Sequence, residues 1–217
     1  MKKAVALLLV ICMLVTILTG CKTKNNTPTE TDINNSIANN STNGDRDFIE
    51  NSTNESNKVD YNKGYMSGEW YINEWADMRF FVSDNWEQGT DAMYKIFEID
   101  VDVDCGLLLH DDSTETTLLI CYEKLNGQAV SSSEYLDIVT SKLVENPKNT
   151  FSDVYTLNIA NKQFQTVTLS AYNENKGKTR FARHSAHKKE DYMIYILIDT
   201  YDDLYGNSIL ADFETVN

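Results

Sequence analysis

Apolar runs that come in pairs, each pair joined by a few turn-forming residues, constrain this chain more than any other feature. Residues 105–110 and 117–123 flank Asp111-Asp112-Ser113-Thr114-Glu115. Residues 151–159 and 163–171 flank Ala160-Asn161-Lys162, and residues 179–187 and 192–199 flank Lys188-Lys189-Glu190. Connections this short join antiparallel neighbours, since a parallel neighbour needs a crossover of a dozen residues or more. Upstream, Trp70 to Trp75 and the alternating Met78, Phe80 and Val82 read as two more strands, with Ser83-Asp84-Asn85 as a turn leading into Trp86. The strands of the first pair, and Tyr192 to Ile198, are apolar on both faces, the pattern of central strands covered from two sides.

Three helical stretches punctuate these strands. Met93, Ile96 and Phe97 follow the capping candidates Thr90 and Asp91. Ser131 and Glu134 form a capping box ahead of a stripe of Tyr135, Ile138, Val139 and Leu143, and Asn146-Pro147 stops that helix. Tyr205, Ile209 and Phe213, at fourfold spacing, close the chain with a third. The order ββ-α-ββ-α-ββ-ββ-α predicts a single α+β domain over residues 66–217. Its core is an antiparallel sheet of hairpins with helices on both faces.

Ahead of the domain the texture is different. Lys2 and Lys3 precede an apolar run from Ala4 to Leu18 that is too short to span a bilayer and suits a secretory signal. The run closes with Leu18-Thr19-Gly20-Cys21, which resembles the lipobox of bacterial lipoproteins. The resemblance implies a signal peptide over 1–20 and a lipidated Cys21 as the first mature residue, with two acyl chains for stable anchoring. Residues 22–58 hold ten Asn, six Thr and four Ser and no sustained apolar period, so residues 22 to about 65 read as a disordered tether. As a flexible coil that tether spans roughly 35–40 Å. These features place the chain on the extracytoplasmic face of the cell membrane, held by its lipid.

With 19 basic and 33 acidic residues the formal net charge is −14. That balance argues against nucleic acid as a partner, which demands a basic face, and against a peripheral grip on anionic lipid.

Tyr71-Ile72-Asn73-Glu74-Trp75, Met78-Arg79-Phe80 and Asp84-Asn85-Trp86 together resemble the opening of a group of small bacterial surface lipoproteins with a PsbP-like α/β/α sandwich domain. Ser83 and Asn85 stand where that group usually has Pro and Gly. Tyr122-Glu123-Lys124-Leu125 resembles the end of the group's central hairpin, and Asp191-Tyr192-Met193-Ile194 its penultimate strand. The resemblance implies the fold and carries no chemistry, because that fold hosts unrelated roles.

Few constellations suggest chemistry. Asp100, Asp102 and Asp104, followed by Gly106, have the opening spacing of a calcium loop. Cys105 occupies the position where such a loop wants glycine, and Val101 and Val103 alternate with the acids as in a strand with one wet face. The solvated strand is therefore the first reading and a cation site the second. His184 and His187 would share a metal on a helix but point to opposite faces of a strand. With Arg180 and Arg183, and Lys188 and Lys189 beside them, they form a basic cluster on an acidic chain and a candidate contact patch. Trp70, Tyr71, Trp75, Phe81 and Trp86 read as core first and as a sugar-stacking platform second.

A hairpin turned about Ser113 sets Cys105 opposite Cys121, on one buried face with Leu107 and Leu119. Opposed cysteines in an oxidising compartment are either a disulfide or a thiol pair. No nucleophile elbow or phosphate loop occurs in the sequence, and no cofactor is called for. The function expected is a non-catalytic, lipid-anchored binding module with a cell-wall or protein partner. The alternative is a wall-active or small-substrate hydrolase whose site is assembled from distant residues.

Overall fold

The structure is a computed structural model that describes residues 59–90 and 104–216. The signal peptide, Cys21, the tether up to residue 58, the stretch 91–97, Asp100 and Asp102 lie outside the described residues.

Among the described residues twelve strands and two helices follow one another: β1 (Tyr65–Ser67), β2 (Trp70–Asn73), β3 (Met78–Phe81), β4 (Glu87–Gln88), β5 (Asp104–Asp111), β6 (Thr116–Lys124), α1 (Ser132–Val144), β7 (Asn149–Phe151), β8 (Tyr155–Ile159), β9 (Lys162–Asn173), β10 (Lys178–Lys189), β11 (Tyr192–Thr200), α2 (Asp203–Ala211) and β12 (Phe213–Glu214). The large sheet runs β4-β5-β6-β11-β10-β9-β7, with β8 also paired to β9, and every pairing is antiparallel. A second sheet, β1-β2-β3-β12, joins the two ends of the described chain.

One face of the large sheet packs against α1. Leu108, Leu119, Cys121, Tyr195 and Leu197 meet Tyr135, Leu136, Val139 and Leu143 there. The predicted stripe is off by one member, because Leu136 is buried and Ile138 only half so. The capping box forms as expected, Ser131 accepting from the Glu134 backbone N–H at 3.2 Å and donating its own N–H to the Glu134 carboxylate at 2.8 Å.

The opposite face was expected to carry helices. Much of its cover is instead the small sheet, whose Tyr71, Met78 and Phe80 pack on Leu107, Leu109, Leu118, Ile120, Ile194 and Ile196, with Ile209 and Leu210 of α2 in the same cluster. Phe213, read as the last member of a helical stripe, leaves the helix and pairs with Phe80 across the sequence. A hydrophobic residue just past a helix end fits either reading locally, and the distant partner decides.

The domain also begins earlier than residue 66. Tyr61 stacks on Tyr192 with ring centroids 4.0 Å apart, and its hydroxyl donates to Asp104 at 2.6 Å. Asn73 is fully buried, donates to the Asn62 carbonyl at 3.0 Å and accepts from the Ala76 N–H at 2.7 Å. The tyrosine–asparagine strand motif thus clamps its own turn and the incoming segment together.

The β5–β6 hairpin has Cys105 opposite Cys121 as expected, but by another route. Its turn sits half a residue later, with Asp111 opposite Thr116 and Leu107 opposite Ile120. Continued unbroken, that register would set Cys105 against Tyr122. The register shifts between Cys105 and Leu107, making Gly106 an extra residue, a β-bulge that returns Cys105 to Cys121. The bulge also turns Leu107 onto the face opposite the thiols, so the four residues do not share one face.

Candidate functional site

The expected basic patch is dispersed by strand alternation. Arg180 pairs with Asp199. Arg183 lies on the other face, 2% exposed, with Nη2 donating to the carbonyl and side-chain oxygens of Asp203. His184 is buried under α1, its Nδ1 2.7 Å from the Tyr195 hydroxyl. Burial pushes its pKa down to about 4. His187 points the opposite way, with Nδ1 2.9 Å from the Gln163 carbonyl, and its pKa is lowered, chiefly by burial. Arg183 and His184 are therefore almost wholly enclosed, and the four residues do not form one exposed basic patch, although Arg183 borders a cleft. A charge in a strand reads as exposed from sequence, and only its partner shows otherwise.

Arg183 marks a trough that the sequence did not reveal. On β9 and β10, Val167, Leu169 and Ala182 face α1, so Thr168, Ser170, Phe181 and Arg183 face the other way. Beside α2 these residues floor a cleft of about 490 Å³, in cross-strand rows that pair Ser170 with Phe181 and Thr168 with Arg183. Asp203 and Asn207 of α2 form one wall, and Phe151, Ser152 and Tyr155 the other. The Tyr155 hydroxyl lies 2.8 Å from Thr168 Oγ1. Arg183 Nη1 lies under the first turn of α2, where a Cβ on Gly206 would stand 2.5 Å from it, and Nε and Nη1 have no hydrogen-bond partner. A second cleft, about 530 Å³, lies on the other side of Asp203, among Thr114, Glu115, Lys178, Tyr201 and Tyr205.

On the α1 side the ladder sets His110 opposite Thr117 and Thr117 opposite Asp199. The His110 ring is 2.9 Å from Thr117 Oγ1 through Nδ1 and 3.1 Å from Asp112 Oδ1 through Nε2. Burial raises the Asp199 carboxyl, against the lowering pull of Arg180 and His110. Residues this far apart in sequence meet only through the register of three strands.

Of the acidic triplet, Asp104 is described, and it accepts the Tyr61 hydroxyl. No group of three metal-binding side chains occurs among the described residues. In the aromatic cluster Tyr71 and Trp75 are core, whereas Trp70 and Phe81 lie on the outer face of the small sheet, edge to face at 5.2 Å with Arg79 over the Trp70 ring. No described helix is long and apolar enough to cross a membrane.

Cys105 and Cys121 face each other as thiols, and the proximity of Cys105 together with burial raises the Cys121 thiol well above its ordinary pKa. Oxidation by glutathione disulfide is expected to close the pair, with a gain of about 3 kcal/mol for a loop of this length. Alkylation followed by mass measurement checks this. Two thiols still alkylated after oxidation would show that the pair serves packing alone.

No family model matches this chain, and no curated protein does. Solved structures similar to it include cyanobacterial PsbP from Synechocystis sp. PCC 6803, at 9% identity and a TM-score of 0.46 over 70% of this chain and 98% of that one. LpqN, involved in cell envelope biogenesis of Mycobacterium tuberculosis, is similar at 10% identity and a TM-score of 0.40 over 63% of this chain and 82% of its own. A protein of Bacteroides thetaiotaomicron VPI-5482 is similar at 13% identity and a TM-score of 0.41, over 70% of this chain and half (50%) of that one. At such identities a likeness concerns fold and leaves ligand and chemistry to the residues themselves.

Proposed function

We propose that this chain is a non-catalytic binding module, anchored by lipid on Cys21 to the extracytoplasmic face of the cell membrane, and that the trough beside α2 is its binding face. The observation that carries the binding role is the lining of that trough, in which hydroxyls, partly exposed rings and the half-exposed Asp203, paired with buried Arg183, converge on one open depression. Such groups hold and orient a ligand without supplying a nucleophile and its base. The anchor rests on the lipobox and the tether on composition. Cys21→Ala is expected to leave an uncleaved, unlipidated precursor. A mutant that is still cut before residue 21 and still labels with a palmitate analogue overturns the anchor.

One observation favours the hydrolase reading. His110 stands between a carboxylate and a hydroxyl, as the histidine of an acid–histidine–hydroxyl triad does. Thr117, however, is 4% exposed and lines neither cleft described above. Hydrolysis of a p-nitrophenyl ester that is abolished by His110→Ala would establish that reading.

A further inference from the structure

We propose that the trough beside α2 takes an uncharged glycan of one or two sugar rings. The inference rests on the reading of this trough as the binding face and names its ligand class.

Elsewhere this face of the large sheet is built from buried leucine and isoleucine under the small sheet. Past α2 it changes to Thr168, Ser170, Phe181 and Arg183. Ser and Thr hydroxyls and the Asn207 amide each donate and accept, which matches a sugar hydroxyl that does both. A phosphate or carboxylate only accepts, and calls for an uncompensated cation. Among the described residues the one cation in the lining, Arg183, is paired with Asp203, and the chain as a whole carries −14. An anion would enter against that field. The partly exposed Phe181 and Phe151 supply apolar faces for the C–H side of a pyranose ring.

A second observation is Arg183 itself. It is almost wholly buried, and Nε and Nη1 lack an acceptor, a rare state for a charged group in a folded interior. It holds Asp203 toward the trough, while Asn207 and the hydroxyls reach the ligand. A peptide fits less well. It would be expected to add to the free edge of the sheet, where Ser152 already accepts from the Thr168 N–H at 3.0 Å through Oγ and donates to the Thr168 carbonyl at 2.9 Å. The volume of about 490 Å³ falls within the range of small-ligand clefts.

The test is calorimetric titration of the full chain, held in a sugar-free detergent, with N,N′-diacetylchitobiose, inorganic phosphate and acetate in turn. Saturable binding of the disaccharide is expected, weakened tenfold or more by Phe181→Ala and by Asn207→Ala. The second variant changes an exposed side chain on α2 and leaves the core untouched, so the test survives if the first does not fold. Binding of phosphate or acetate in place of the sugar overturns the proposal, as does no binding at all or sugar binding that both variants leave unchanged. Loss of the sugar result with membrane anchoring through Cys21 intact removes the ligand class and leaves the anchored module standing.

Discussion

Gly106→Ala is expected to destabilise the domain by about 3 kcal/mol, equivalent to a fall of roughly 6–12 °C in melting temperature for a domain of this size. A Cβ at this position would lie 2.4 Å from the Lys63 carbonyl oxygen, 2.4 Å from the Tyr71 hydroxyl and 2.7 Å from Tyr122 Cε2. None of these neighbours yields easily. The Tyr71 hydroxyl donates to the Lys63 carbonyl at 2.6 Å and lies 2.8 Å from the Tyr122 hydroxyl, with both tyrosine rings in the core. The methyl group must therefore push the incoming segment 59–64 off the sheet or break the tyrosine pair. Urea unfolding followed by circular dichroism measures the effect, and an unchanged midpoint would show that the bulge is not seated beneath Lys63.

The second large effect concerns pH. His184 takes up a proton in the unfolded chain near its ordinary value of 6.5 but only at about 4 in the folded protein. The unfolded state therefore binds the proton first. Stability is fully present above about 6.5 and declines as the pH falls toward about 4, by about 3 kcal/mol in total. His187, also lowered by burial, acts in the same direction. Glu123 and Asp199, raised by burial, act in the opposite direction in the lower part of the window. Comparison with His184→Gln isolates the contribution of His184. Unfolding midpoints between pH 4 and 7 are expected to fall less steeply for the variant than for the parent, and parallel curves would refute the assignment.

The sequence made the hairpins legible because each is local. Runs such as Tyr192 to Ile198 carry their own period and their own turns, and the capping box at Ser131 announces α1 within four residues. The second sheet was not legible. Phe213 pairs with Phe80, and nothing near either residue declares a partner so distant in sequence. The cysteine pairing was anticipated from a turn placed half a residue early, and the bulge at Gly106 made up the difference. The trough was hidden for a similar reason. Thr168 and Ser170 lie in a run read only as one strand of a hairpin, and their shared depression with Arg183 exists only once α2 returns to stand beside β10. Arg183 and His184 read as surface groups because charge is the strongest local cue to exposure, and the pairing that buries Arg183 with Asp203 spans 20 residues.

The borders of the large sheet have a consequence for crowding. At one side β4 is two residues long, and at the other the border is divided between β7 and β8, with Ser152 filling the backbone ladder in the gap. A long, straight margin would offer copies of this chain a template for zipping together. Confinement to two dimensions by a lipid anchor would multiply such encounters. If the proposed lipid anchor holds the domain at a membrane, the divided β7 and β8 border gives neighbouring copies no continuous ladder along that flank.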